Sequence, residues 1–278
     1  MPAVSFSQKE YLCRTKCHSM KKRHLLLLLI VSALLGCSRH SFPTQTMPPA
    51  ATATQVDGRY EARLLETAAG PLPYRVAHFN PDSLPDKPAL VLYLHSANGR
   101  GVDNIAQFQR QKAIDSIYSY MLDHRMNVLF LVPQCPADHN WAGNRNFPSY
   151  LGPVKELLKL YADSTDRQHA YLFGASMGGS GVWRMLNECP NTFAAAFVAS
   201  GMYRNFDPKT VAKTPLYVTL GGAEDAKPRA DFPAIVEVVR NAGGEVMFDI
   251  LPDLNHPQTC EQSFTAERIG WVFGHERQ

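Results

Sequence analysis

The segment "FGASMGG" (residues 173–179) sets Ser176 between Gly174 and Gly178, the pattern G-x-S-x-G. It follows the apolar run "HAYLF" and precedes "GSGVWRMLNEC", whose apolar residues recur at helical spacing. A serine on a sharp strand-to-helix turn presents its hydroxyl above the sheet, and small neighbours are needed because bulky ones clash. A helix beginning there aims backbone N–H groups at the reaction centre, where they favour developing negative charge. The alternative for the same residues is a tight turn in a packed core, with no chemistry.

A serine hydroxyl is a poor nucleophile without a base, and the base needs an acid to orient it. Two histidines follow Ser176: His256 and His275. His275 comes after the last helical segment and reads as solvated. His256 lies in "LPDLNHPQT", a predicted loop directly after the last strand, where a base would reach Ser176. In the order serine, acid, histidine, the acid falls between them. "PLYVTLGGAEDAKP" offers Glu224 and Asp225 right after a strand; Asp225 is the first candidate and Glu224 the second. Asp249 and Asp253 sit in or just after a strand and read as surface or turn groups. The amide of Met177 is one candidate donor to an oxyanion. A second is expected from the loop in "LYLHSANGRGVDN" (residues 92–104).

These residues need a sheet to hold them at one edge. "YEARLLET" and "LPYRVAHF" read as two strands joined by a turn at "AAGP". "ALVLYLH" (89–95) is continuously apolar, as suits a strand buried on both faces. Further strands are predicted in 127–133, 169–176, 193–200, 215–222 and 245–251. Helices are predicted over 105–122, 150–163, 178–189, 232–244 and 263–275. About eight strands with interleaved helices predict an α/β fold: one mostly parallel sheet covered on both faces. "QCPADHNWAGNRNFPS" after the fourth strand is a long connection, the kind that carries substrate contacts.

The order of "LVLYLHSANGRGVDN", "LVPQCP" with Trp141 downstream, "AYLFGASMGGSGVW", "FAAAFVASG" and "GGAEDAKP…LNHP" resembles a group of α/β-hydrolase esterases. That group is often labelled "predicted peptidase" and is similar to polyhydroxybutyrate-depolymerase-like and feruloyl-esterase-like enzymes. The resemblance covers most of residues 86–275. It implies the α/β-hydrolase fold and a serine esterase needing no cofactor and no metal. By position it implies Ser176 as nucleophile, Asp225 as acid and His256 as base. Met177 and Ala97 would supply oxyanion amides, and Gln134 and Trp141 would line the site. The chain departs from the group at Ser96, where glycine is usual, which adds a side chain beside the oxyanion site. A serine peptidase of the same fold is the alternative enzyme, and a non-catalytic binding lipoprotein is the alternative outside enzymes.

Ahead of this domain, "MKKRHLLLLLIVSALLGC" (20–37) has a basic start, a short apolar core and a terminal cysteine. It resembles a bacterial lipoprotein signal in which Cys37 is lipidated, and Met20 is a second candidate for the true start. Residues 38–57, rich in Ser, Thr, Pro and Ala, read as a flexible tether, with the domain over 58–278. The expected protein is therefore exported and membrane-anchored by lipid, facing the periplasm or the cell surface. The whole sequence carries a net charge of +3. Without residues 1–37 it has 22 basic and 24 acidic side chains, net −2, and no basic stripe for nucleic acid. The expected partner is a small-molecule or carbohydrate ester. Cys135, Cys189 and Cys260 are an odd set, so at least one stays free or pairs between chains. No spacing of Cys and His suggests zinc.

Cys37→Ala is expected to leave the protein unlipidated and soluble. Membrane fractionation checks this; a mutant still in membranes after a carbonate wash would make the apolar segment an uncleaved anchor.

Overall fold

The computed structural model describes residues 59–79, 87–108 and 112–277; the leader (1–37) and tether (38–57) lie outside them. Eight strands form one sheet: β1 (Glu61–Leu65), β2 (Leu72–Phe79), β3 (Ala89–Leu94), β4 (Val128–Pro133), β5 (Asp166–Ala175), β6 (Ala195–Ala199), β7 (Leu216–Gly221) and β8 (Val246–Leu251). Their spatial order is β1-β2-β4-β3-β5-β6-β7-β8. β1 and β2 pair antiparallel, as do β2 and β4, and every later pairing is parallel. The predicted eight-stranded, mostly parallel sheet is what the chain builds.

The alternation along β3 shows why the sheet is covered twice. Leu90, Leu92 and Leu94 enter the core on one face, where α2 (Leu151–Tyr161), α3 (Met177–Glu188) and α5 (Ala226–Asn241) contribute Leu157, Val182 and Val236. Val91 and Tyr93 enter the opposite core with Ile114 and Ile117 of α1 (Lys112–Asp123) and Ile269 and Val272 of α7 (Ala266–Phe273). Each such buried aliphatic side chain contributes about 1.5–3 kcal/mol of transfer free energy. A strand that is apolar at every position can only be satisfied between two helical layers.

Two short helices were not legible in the pattern: α4 (Pro208–Val211) and α6 (His256–Gln262). α4 is capped by the Asp207 side chain, which accepts from the Lys209 amide. α6 begins at the residue expected to lie in a loop. Asn255 caps it by accepting from the Gln258 amide while the Gln258 side chain accepts from the Asn255 amide. That reciprocal pair fixes the first turn, and Pro257 sits where a helix tolerates proline. Of the helix expected over 105–122, the described residues form a 3₁₀ turn at Ala106–Phe108 and α1 from Lys112.

The topology delivers four polar side chains to one edge. Ser176 follows β5, Ser200 follows β6, Glu224 lies in the turn after β7, and His256 lies in the segment after β8. These four strands are neighbours in the sheet, and all run parallel.

Candidate active site

Ser176 sits between the last residue of β5 and the first of α3, with φ 53° and ψ −114°. This is a backbone region that non-glycine residues seldom adopt, and the cost is of order 1–3 kcal/mol. Its neighbours hold it there. The Ser176 amide donates to the Ala199 carbonyl (2.8 Å), and its carbonyl accepts from the Ser180 amide (3.0 Å). A Cβ at Gly178 would fall 1.8 Å from the Leu94 carbonyl oxygen, and one at Gly174 would fall 2.5 Å from the Gly178 backbone. Only glycine lets α3 come this close to β3 and β5, so the small residues of the motif are a packing requirement.

The raised hydroxyl meets a base. Ser176 Oγ lies 2.7 Å from His256 Nε2. His256 Nδ1 in turn lies 3.1 Å from Glu224 Oε2. The carboxylate beside His256 is therefore Glu224 and not the expected Asp225. Glu224 is 6% exposed and faces inward. Asp225 is exposed and lies at the cap position just before α5, with no hydrogen bond from its side chain to the first turn. Glu224 precedes the helix and its longer side chain reaches back over the sheet edge, whereas Asp225 is already turned outward by the helix start.

Burial alone would raise the Glu224 carboxyl. Hydrogen bonds from His256 and Ser200 and the nearby imidazole outweigh it and hold Glu224 below the ordinary carboxylate range. The sulfur of Cys260 is 3.9 Å from His256 Nε2, one helical turn along α6. The contacts with Cys260 and then Glu224 favour the charged imidazole and raise His256 above its ordinary value, against the effect of burial.

Met177, the first residue of α3, has an amide with no acceptor inside its own helix. Ala97 opens a 3₁₀ turn (Ala97–Gly99) just beyond β3. The close approach at Gly178 brings the start of α3 against the Leu94 carbonyl, two residues before Ser96 and three before Ala97. The loop carrying Ala97 is fixed by His95, which is fully buried. His95 Nε2 accepts from the Cys135 amide (2.9 Å), so Nδ1 carries the proton and donates to the Ser96 carbonyl (2.7 Å). Burial pushes His95 down to about 4, with the Arg100 charge adding to that and the Ser96 bond opposing it. The ring is neutral at ordinary pH, as its hydrogen bonds demand. Ser96 itself is half-buried.

Two residues expected to line the site do something else. Gln134 is fully buried: Oε1 accepts from the Asn104 amide (2.6 Å), and Nε2 donates to Asp103 Oδ1 (2.8 Å) and the Gly99 carbonyl (3.2 Å). Trp141 is also fully buried, donates to the His95 carbonyl (3.0 Å), and packs edge-on against the His95 ring. Both brace the loop after β3 from behind. A polar or amphipathic side chain next to a long loop gives the same sequence signal whether it faces substrate or supports the loop. His275 lies away from this chain of contacts, bonded to the Trp271 carbonyl and near Glu245. Asp249 pairs with Arg268 and accepts from Tyr217. Cys135, Cys189 and Cys260 are free thiols. Among the described residues no group of three His, Cys, Asp or Glu is placed to hold a metal ion.

A parallel sheet with an antiparallel start, a strained serine between strand five and a helix, and a histidine after the last strand define the α/β-hydrolase fold. Solved structures of that fold superpose on the chain. One is a thermostable esterase, 24% identical, TM-score 0.65, over 79% of this chain and 64% of that one. Another is the S-formylglutathione hydrolase of Staphylococcus aureus, 14% identical, TM-score 0.57, over 77% and 98%. A third is an acylaminoacyl peptidase of Pyrococcus horikoshii, 13% identical, TM-score 0.54, over 79% and 42%. This chain thus spans 64% of the length of the thermostable esterase. No protein-family model and no curated relative matches the chain.

Two outcomes are expected from this geometry. Glu224→Gln lowers kcat by roughly three to four orders of magnitude, because the base loses its orienting charge. Asp225→Asn leaves kcat within about twofold; steady-state kinetics of the two variants decide which carboxylate acts. The second outcome concerns pH. A protonated His256 cannot accept the serine proton, so kcat/KM falls as pH drops through the raised value, with its acid limb above about 6.5. An acid limb at or below the ordinary histidine value would show that the contacts around His256 do not favour its charged form.

Proposed function

We propose that the protein is a serine hydrolase of carboxylic esters, acting through Ser176, His256 and Glu224. The observation that carries this reading is one unbroken run of contacts, from Ser176 Oγ through both nitrogens of His256 to a buried carboxylate. A binding module has no need of it. In the first half-reaction His256 Nε2 takes the Ser176 proton as Oγ attacks the ester carbonyl. The Met177 and Ala97 amides receive the developing oxyanion, Glu224 stabilises the imidazolium, and His256 returns the proton to the departing alcohol. In the second, His256 takes a proton from the water that attacks the acyl-enzyme and returns it to Ser176 Oγ as the bond to the acyl carbon breaks and the acid leaves.

The substrate proposed is a small or carbohydrate-linked ester. The long connection between β4 and α2 is anchored by Trp141 but presents Asp138, Asn144, Arg145 and Asn146 outward. The sequence between the strands holds no apolar insertion long enough for a helical lid. A polar connection of this kind suits a hydrophilic leaving group and gives a long acyl chain little to bury. Ser96 sits beside the oxyanion site and is proposed to contact substrate. Export and lipid anchoring at Cys37 are proposed on the sequence pattern of residues 20–37.

A fluorophosphonate is expected to label the protein at Ser176, and Ser176→Ala to abolish both labelling and ester turnover while circular dichroism stays that of the native fold. In a panel of acetyl, butyryl, feruloyl and long-chain esters, kcat/KM is highest for the short or aromatic ones. Faster cleavage of matched amides would favour a peptidase, and a folded Ser176→Ala with wild-type turnover would make the serine a turn residue only.

A further inference from the structure

The end of β6 repeats the end of β5. Ser176 has φ 53° and Ser200 has φ 48°, and both follow immediately on their strands. The Ser176 amide donates across to Ala199 of β6, and the Ser200 amide donates across to Thr219 of β7 (2.9 Å). Each serine therefore sits at the top of the sheet with its backbone in the left-handed region, held by the next strand along. Glycine would adopt this conformation without strain. Glycine does follow, at Gly201, where the chain passes tightly over Gly179 and the Ser176 carbonyl. The position before it is nonetheless a serine, only 6% exposed.

What that serine contributes is its hydroxyl. Ser200 Oγ donates to Glu224 Oε1, the oxygen not facing His256. The other donor to Oε1 is the Gly221 amide, at a long 3.3 Å. Glu224 has one more rotatable bond than aspartate would have, so its carboxylate needs fixing from both sides if Oε2 is to meet His256 Nδ1. We propose that Ser200 is a positioning residue, whose hydroxyl clamps the free oxygen of Glu224 and so sets the plane in which the carboxylate meets the base. The inference rests on the reading of Ser176, His256 and Glu224 as the reacting set. It explains why a strained serine stands where glycine would fit: the left-handed turn aims Oγ across β7 at the acid.

The test compares Ser200→Ala and Ser200→Gly with the wild type and repeats Ser200→Ala in a Glu224→Gln background. Ester turnover and the rate of fluorophosphonate labelling of Ser176 are both measured. Each single Ser200 variant is expected to lose roughly 10- to 100-fold in kcat, with KM within about twofold, and labelling is expected to slow in step. Ser200→Gly should melt no lower than Ser200→Ala, since glycine relaxes the backbone, yet it should be just as slow. In the Glu224→Gln background Ser200→Ala should cost less than about twofold more, because residues acting through one group do not add. Full activity in Ser200→Gly, or equal losses in both backgrounds, would overturn the proposal and leave the esterase reading standing. A wild type that neither turns over esters nor labels at Ser176 would overturn that reading and this one with it.

Discussion

The Leu94 carbonyl and the α-carbon of Gly178 lie so close that no side chain fits between them. That contact sets the distance between the start of α3 and the end of β3, and the rest of the site follows from it. It holds the Met177 amide beside the exit of β3, where the loop carrying Ala97 begins. It also forces Ser176 into its left-handed turn, because β5 must reverse into a helix within one residue. The strain is balanced by the bond to Ala199 and by two apolar cores that fix both flanking elements. Strain of this kind persists only where the surroundings over-determine it.

Behind the loop carrying Ala97 the same economy appears in a different chemistry. His95, Gln134 and Trp141 are buried polar or amphipathic side chains whose hydrogen bonds all end on the backbone or on one another's loops. They brace the segment from Ser96 to Gly101, whose own regular structure is one 3₁₀ turn. The arrangement also links the fold to acidity. An unfolded imidazole titrates near pH 6.5, and His95 stays neutral in the fold down to about 4. Its contribution to stability is whole above the upper value and drains away as pH falls towards the lower one.

Much of this was legible from residue types. The glycines around Ser176 announce a turn that excludes side chains, and continuous apolar runs announce strands buried on both faces. His256 was identifiable because only two histidines follow the serine. The choice between Glu224 and Asp225 was not legible. They are adjacent and chemically alike, and the decision depends on where α5 begins, a boundary set by three-dimensional packing. Nor was the helix at His256, since its evidence is a capping pair, Asn255 and Gln258, split by the functional residue itself. Gln134 and Trp141 were assigned to the cavity wall because their neighbourhood was right and their direction was not written in the sequence.

β8 stands at the margin of the sheet with one neighbour only, β7, and carries Met247 and Ile250 exposed. Ser176 follows β5 at the centre of the same sheet, between β3 and β6. The two side chains that meet at 2.7 Å thus hang from strands placed very differently in the sheet. A local opening that began at the marginal strand would part His256 from Ser176 while β5 and its turn stayed in the sheet. In that event the pair is lost before the fold is.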